Sequence, residues 1–344
     1  MVKLRRGAQT ALSDDKSLRL RAAWLYHAHG LTQNEVATQL GLGRTTVIRL
    51  LDEAKQRGEV RVWIDEAVAE LVELGIEIEQ ALGLDEVIVV PSGGDQATTA
   101  QSVGLALGKF LSEAITDDMT IGVGWGRTLT ASLESFHPPR HSGVKVMSLL
   151  GGAIETRFAN PVEFTWRLAG ALNAECYLFP APLIVDSAKT KRHLIEDCGL
   201  DRLYTLAQSI DLAIISAGDI NQNSTSLVRH LISDKEHKEL VAQGCVADLL
   251  CNFMDENGDP VRHPINDRIM SIDLDRLRKA AHIVLASGGA VRAQAIIAAI
   301  RGVGCNTLVT DEAAARPLLS LAKTKPPRRE DNAPAKAPAR RSHS

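Results

Sequence analysis

Apolar positions along this chain fall into two textures. Up to residue 82 they recur every three or four residues, as on one face of successive helices; from residue 86 they form short continuous runs separated by helical stretches. In the first part, a helix is predicted from about Ser17 to Gly30 (LRLRAAWLYHAHG), packing Leu20, Trp24 and Leu25 onto two helices that follow. His27 and His29 near its end read as cations at a helix C-terminus rather than as metal ligands. After Gly58, VRVWID (60–65) alternates Val60, Val62 and Ile64 with polar partners and reads as a short strand or wing. Residues 66–82 carry apolar or small residues at 67, 71, 74, 78 and 81, a 4-3-4-3 spacing that barely exceeds two heptads and contains Gly75. Such a helix either pairs with its copy or lies against its own domain.

The candidate strands are 86–90, 119–124, 144–150, 174–179, 210–218, 282–288 and 306–310, with amphipathic stretches at 97–115, 160–172, 227–243 and 291–301 between them. Apolar strands alternating with helices imply a parallel sheet covered on both faces. The expected fold class is therefore α/β: a doubly wound, mostly parallel sheet domain behind an N-terminal helical unit. The expected boundaries are a disordered arm at 1–15, a helical domain at 16–65, a linker or oligomerisation helix at 66–84, the sheet domain at 85–321 and a disordered Pro/Ala/Arg-rich tail at 322–344.

Within the helical unit, LTQNEVATQLGLGRTTVIRLL (31–51) has the pattern of a helix-turn-helix. Thr32 is placed as N-cap of a short helix with Val36, Ala37 and Leu40 on one face. Gly41 ends it, where a left-handed conformation suits a residue without Cβ. The second helix buries Val47, Leu50 and Leu51 and leaves Arg44, Thr45, Thr46 and Arg49 exposed. Ala37 is small because the helices cross closely there. Thr32, Gln33, Gly43, Arg44, Thr45, Thr46 and Arg49 are the candidate DNA-contacting residues; an ordinary helical bundle is the bland alternative.

Charge supports a polyanionic partner for that unit. The net charge of −3 is unevenly spread: residues 1–61 carry +5 and 323–344 carry +5, leaving −13 on 62–322. At 45% hydrophobic and 24% charged the 344 residues are those of a globular protein of two domains. No apolar run approaches the roughly 20 residues of a membrane span, and the N-terminus lacks an apolar leader segment. Five scattered cysteines without CxxC spacing argue against a disulfide framework or zinc site and fit a reduced, cytoplasmic setting. No cofactor or metal is expected.

In a parallel sheet, ligands bind beyond the carboxyl ends of the strands, and here those ends are glycine-rich. IGVGWGRTLTASL (121–133) places Gly124, Trp125, Gly126, Arg127 and Thr128 at a strand end before a helix. It suits a phosphate or a cluster of sugar hydroxyls, but it lacks the spacing of a dinucleotide loop and the lysine of a nucleotide triphosphatase. SLLGG supplies Gly151 and Gly152, ISAGD another strand end, and ASGGAVRAQAI supplies Gly288, Gly289 and Arg292. Asp186 and Asp248 are candidate acceptors for sugar hydroxyls, with surface or capping aspartate as the alternative. Trp125 either packs or faces a sugar ring.

Together the helix-turn-helix, GVGWGRT, DLAIISAG, GCVADLL…FMDENG and ASGGAVRAQAIIAAIRGVGCNTLVTDEAAA resemble the SorC family of bacterial transcriptional regulators over about 17–321. The resemblance implies an effector domain related to sugar-phosphate isomerases and aminosugar-phosphate deaminases, turned from catalysis to ligand sensing. It also implies control of a carbohydrate or polyol catabolic operon by a homo-oligomer, dimer or tetramer, bound to double-stranded operator DNA. The chain departs from the family pattern at four places. Gly43 stands where a capping serine is common, Arg292 where lysine is frequent, GCVAD where GAVGD is usual, and Trp125 and Arg127 where smaller or hydroxyl residues are typical. A free polyol or other small carbohydrate therefore stands beside a sugar phosphate as the expected effector. The rival reading is a sugar-phosphate isomerase or deaminase with a DNA-binding head, Asp248 acting as general base.

Overall fold

The computed structural model describes residues 15–27, 29–60, 66–153, 160–220 and 231–324. They divide into two compact units, Met1–Glu66 and Ala67–Ser344. The first holds helices α1 (Asp15–His27), α2 (Gln33–Leu40) and α3 (Arg44–Gln56). Its core is Ala22, Ala23, Leu25, Val36, Ala37, Val47, Leu50, Leu51 and Ala54. The face expected of α1 is corrected. Leu25 is buried, but Leu20 and Trp24 are exposed, Trp24 by 64%. The inward stripe runs through Arg19, Ala22 and Ala23 instead, and small residues let α1 lie close to α3. The helix also starts two residues before Ser17. The arm at 1–14 and the wing at 61–65 lie outside the described residues.

Helix α4 (Glu66–Leu82) opens the second unit. One face of this helix lies on its own domain. Leu74, Ile78 and Leu82 join the cluster that also holds Val87, Met147 and Leu308. Gly75 makes this approach possible: a Cβ there would sit 2.8 Å from the carbonyl oxygen of Val87. Glu79 Oε1 accepts from the Val87 amide at 2.8 Å and fixes the register.

The chain continues through β1 (Glu86–Val90), α5 (Gln96–Ala114), β2 (Thr120–Val123), α6 (Arg127–Ser132), β3 (Lys145–Ser148), α7 (Pro161–Leu172), β4 (Glu175–Tyr177), α8 (Ala188–Glu196), α9 (Asp201–Leu206) and β5 (Leu212–Ile215). It then forms β6 (Ala217–Asp219), α10 (Asp234–Ala242), β7 (Ala247–Leu249), β8 (Asn252–Met254), α11 (Leu274–Leu277), β9 (His282–Ala286), α12 (Ala293–Val303), β10 (Thr307–Asp311) and α13 (Glu312–Thr324). Seven strands make one sheet in the order β1-β10-β9-β5-β2-β3-β4, every pairing parallel. Leu212 pairs with Ile121 on one side and His282 on the other, so β5 is central and apolar throughout. Helices α5, α6 and α7 cover one face, while α4, α12 and α13 cover the other. The predicted helix at 227–243 is shorter: α10 begins at Asp234, and 221–230 lie outside the described residues.

The expected strand at 210–218 divides at Ser216. Its second half, β6, leaves the main sheet and pairs antiparallel with β7, which pairs with β8. This small sheet escapes the sequence reading because its strands have three residues each. Its hairpin turns through Leu250 (φ 52°) and Cys251 (φ 62°), where glycine or asparagine would ordinarily announce it. The tail expected from 322 is also corrected: α13 runs to Thr324 with Ala322 buried, and 325–344 lie outside the described residues.

Candidate DNA-reading and effector sites

In the first unit, Thr32 caps α2 in a reciprocal box. Its hydroxyl accepts from the Glu35 amide, and the Glu35 carboxylate accepts from the Thr32 amide at 2.8 Å. Glu35 was legible from the T-x-x-E spacing but not singled out. Gly41 takes φ 67° and closes the helix, with the Leu42 amide donating to the Ala37 carbonyl. Gly43 is the N-cap of α3 in extended conformation, and no side chain caps that end. Beyond it Arg44, Thr45 and Arg49 are exposed and Thr46 is half-buried.

Arg44 Nε donates to Gln33 Oε1 at 3.4 Å, so the first turns of α2 and α3 come together. An open cavity of about 570 Å³ lies there, lined in part by Thr32, Gln33, Asn34 and Arg44. Arg49 pairs one turn along with Glu53 at 2.5 Å. Buried Arg19 clamps α1 to the chain after α3 through two bonds of 2.6 Å to Glu59. That bond raises the Arg19 pKa and lowers that of Glu59. No sequence signal marked this clasp.

In the second unit the loop after β2 is set by close helix contacts. Gly104 and Gly108 of α5 let α6 approach: a Cβ at Gly104 would lie 2.6 Å from the Thr128 carbonyl, and one at Gly108 2.1 Å from that of Ser132. Gly124 donates its amide to Ile214 at 2.8 Å, and a Cβ on it would meet Leu250 at 2.9 Å. Gly126 takes φ 138° at the start of α6. Thr128 is buried beneath, and Arg127 is partly buried. The alternative for Trp125 resolves to packing, since its ring is buried in the sheet-domain core.

Arg292 sits in a short 3-10 turn, Ala290–Arg292, ahead of α12, and is 8% exposed. Its Nε lies 3.5 Å from Oδ1 of Asp219, itself 3% exposed, and its Nη1 3.4 Å from the Gly288 carbonyl. Burial lowers the pKa of Arg127, and the positive charge of Arg292 lowers it further; the two residues follow β2 and β9, the strands that flank β5 in the sheet. Asp219 was not singled out from the sequence. Its signal is its place at the end of ISAGD, the last residue of β6.

Other expected residues are placed differently. Asp248 is buried in β7, opposite Gly218 of β6. Gly151 and Gly152 spend their amides on the chain itself, donating to Met270 at 2.8 Å and Ala181 at 2.9 Å. A Cβ on Gly151 would be 2.5 Å from the Ala181 carbonyl, so that glycine is needed for strand approach. Asp186 is exposed next to the Ser187 cap of α8, and a hydrogen bond from Thr190 lowers its pKa. This places it one residue before the N-cap of that helix. Gly289 has φ 95° and donates to Asp311 Oδ1 at 2.7 Å. Among the described residues no three His, Cys, Asp or Glu side chains are grouped to hold a metal, and no helix is long and apolar enough to cross a membrane.

The Sugar-bind family model, which describes a sugar-binding domain, matches residues 66–320. The transcriptional regulator LsrR of Enterobacter sp. (strain 638) is 32% identical over 325 residues, 92% of this chain and 97% of its own. The full-length sorbitol operon regulator SorC from Klebsiella pneumoniae aligns at a TM-score of 0.66 and 25% identity, over 89% of this chain and all of that one. The chain belongs to the SorC family of transcriptional regulators. Another relative, the deoxyribonucleoside regulator of Bacillus subtilis (strain 168), is 29% identical over 309 residues, 89% of this chain and 98% of its own. These relatives are regulators by name, and the SorC-family chain aligns with nearly their whole length. Its sugar-binding domain is the second unit, where Arg127, Asp219 and Arg292 lie at or beyond strand ends and Asp248 lies within β7.

Proposed function

We propose that this SorC-family chain is an operator-binding regulator of a carbohydrate or polyol catabolic operon, controlled by a small phosphorylated sugar in its second unit. The observation that carries the effector class is the placement of Arg127 and Arg292 beyond the carboxyl ends of β2 and β9, the two strands that flank β5. Two guanidinium groups, one half-buried and one buried, at these strand ends favour an anionic ligand, and a phosphate accepts charge-assisted hydrogen bonds from both. Asp219 and Asp248 supply acceptors suited to sugar hydroxyls. A free polyol offers the guanidinium groups only neutral acceptors, whereas a phosphate adds charge-assisted bonds.

In the first unit Arg44, Thr45, Thr46 and Arg49 of α3 enter the major groove, with the arginines reading guanine edges. Thr32, Gln33 and Gly43 approach the backbone, where contacts position without specifying. The chain acts in the cytoplasm as a homo-oligomer, and it senses rather than converts its sugar. A thermal-shift screen of the purified chain against sugars, polyols and their phosphates tests the effector class. A ligand at 100 times its Kd adds about 2.7 kcal/mol of stability. Shifts with free polyols but none with phosphates would overturn the anionic reading.

A further inference from the structure

The fully buried side chain of Asp311 has no part in the effector reading so far, although it touches the loop that bears Arg292. Its Oδ1 accepts from the Gly289 amide at 2.7 Å and from the Ala314 amide, in the first turn of α13, at 3.3 Å. A Cβ on Gly288 would lie 2.9 Å from the same oxygen, so the loop is pressed against it. Oδ2 is also buried and has no hydrogen-bond partner among the described residues. One oxygen atom therefore fastens the turn leading to Arg292 onto the start of α13.

Helix α13 in turn rests on α4. Leu318 and Ala322 share an apolar cluster with Leu74 and Ile78. Lys323 pairs with Glu77 at 3.4 Å, and Arg316 reaches Glu70 at 3.8 Å. Helix α4 is the element through which the chain enters this unit from the DNA-reading one.

We infer that Asp311 is a positioning residue that couples the effector loop to α4, through its paired bonds to Gly289 and Ala314. This rests on the assignment of Arg127 and Arg292 to anion binding. Movement of the Arg292 loop on an anion shifts the shared acceptor and with it the first turn of α13. A rigid helix then carries the displacement to α4, whereas a loop bonded only to itself would absorb it.

Hydrogen exchange on the full-length chain, with and without saturating inorganic phosphate, tests the coupling. In the wild type, phosphate slows exchange at 286–296 and also at 66–82, several-fold in each. Asp311→Ala keeps the slowing at 286–296 and loses it at 66–82. Asp311→Asn, whose amide carbonyl replaces Oδ1, returns the response at 66–82, which a merely structural defect would not do. Undiminished slowing at 66–82 in Asp311→Ala overturns the proposal. So does a folded Asp311→Asn protein that protects the loop but not α4, and this arm remains decisive if the alanine variant does not fold. If phosphate protects neither segment of the wild type, the anion-site reading fails and takes the coupling with it. If it protects only the loop, the coupling alone is refuted.

Discussion

Helix α3 starts at Gly43 without a side-chain cap, beside the well-capped α2, which makes Gly43→Ser a direct test of how α3 is built. The φ of −75° and ψ of 147° at Gly43 suit any residue. A Cβ would meet only Thr46 Oγ1, at 3.9 Å, so no clash opposes the change. Serine at an N-cap is better than glycine by a few tenths of a kcal/mol. Restricting the unfolded chain adds roughly 0.4–1 kcal/mol. The sum is about 1 kcal/mol, or a rise in Tm of roughly 4–8 °C for a small domain.

Alanine gains the same backbone restriction but caps worse than glycine, so Gly43→Ala is expected to be close to neutral. Calorimetry of the full chain separates the two variants, because the head is a compact unit of its own. If α3 orders further on the operator, the serine variant also binds it up to about fivefold more tightly, since 1.4 kcal/mol is a factor of ten. Equal Tm values for the serine and alanine variants would refute the placement of Gly43 as N-cap.

Arg127→Met removes one of the two cations at these strand ends and is expected to abolish stabilisation by phosphate compounds in thermal-shift assays; a phosphate shift equal to that of the wild type would count against the anion site. Burial lowers the pKa of His282 below its ordinary 6.5, so the folded state holds fewer protons than the unfolded one. Stability therefore falls as pH drops from about 6.5 towards the lowered native value, and His282→Gln flattens that part of a urea–pH profile. Cys198 is exposed, whereas burial pushes the thiols of Cys245 and Cys305 up to about 12 and that of Cys251 higher than usual as well. A thiol reagent at pH 8 should modify Cys198 rapidly and the three buried thiols only after unfolding; fast reaction at Cys251 would contradict the packing of the small sheet.

Elements whose chemistry is local were readable from the sequence. The helix-turn-helix was one, because Thr32, Ala37, Gly41 and Val47 each have a role fixed by offsets within 20 residues. The parallel strands were another, because β5 and β9 are buried on both faces and lack polar alternation. What escaped depends on partners far apart in sequence. Gly75 interrupts a coiled-coil repeat in the sequence, and only the fold brings the Val87 carbonyl against it. Trp24 looked like core because it is large and apolar, yet the small face of α1 won the contact with α3. Gly151 and Gly152 resembled a phosphate cradle, but their amides are taken by Met270 and Ala181. Asp219 and Asp311 gave no periodic signal, since a buried carboxylate is defined by what folds around it.

Operator binding by the full-length chain, followed with and without the compound that most raises its Tm, tests the central claim most directly. Wild type should bind its operator with an affinity that changes at least several-fold on adding the compound. Arg44→Ala should lose about 1–3 kcal/mol of operator affinity and keep the Tm shift. A compound that stabilises the protein while leaving operator affinity unchanged, or an Arg44→Ala variant that binds like wild type, would contradict the account.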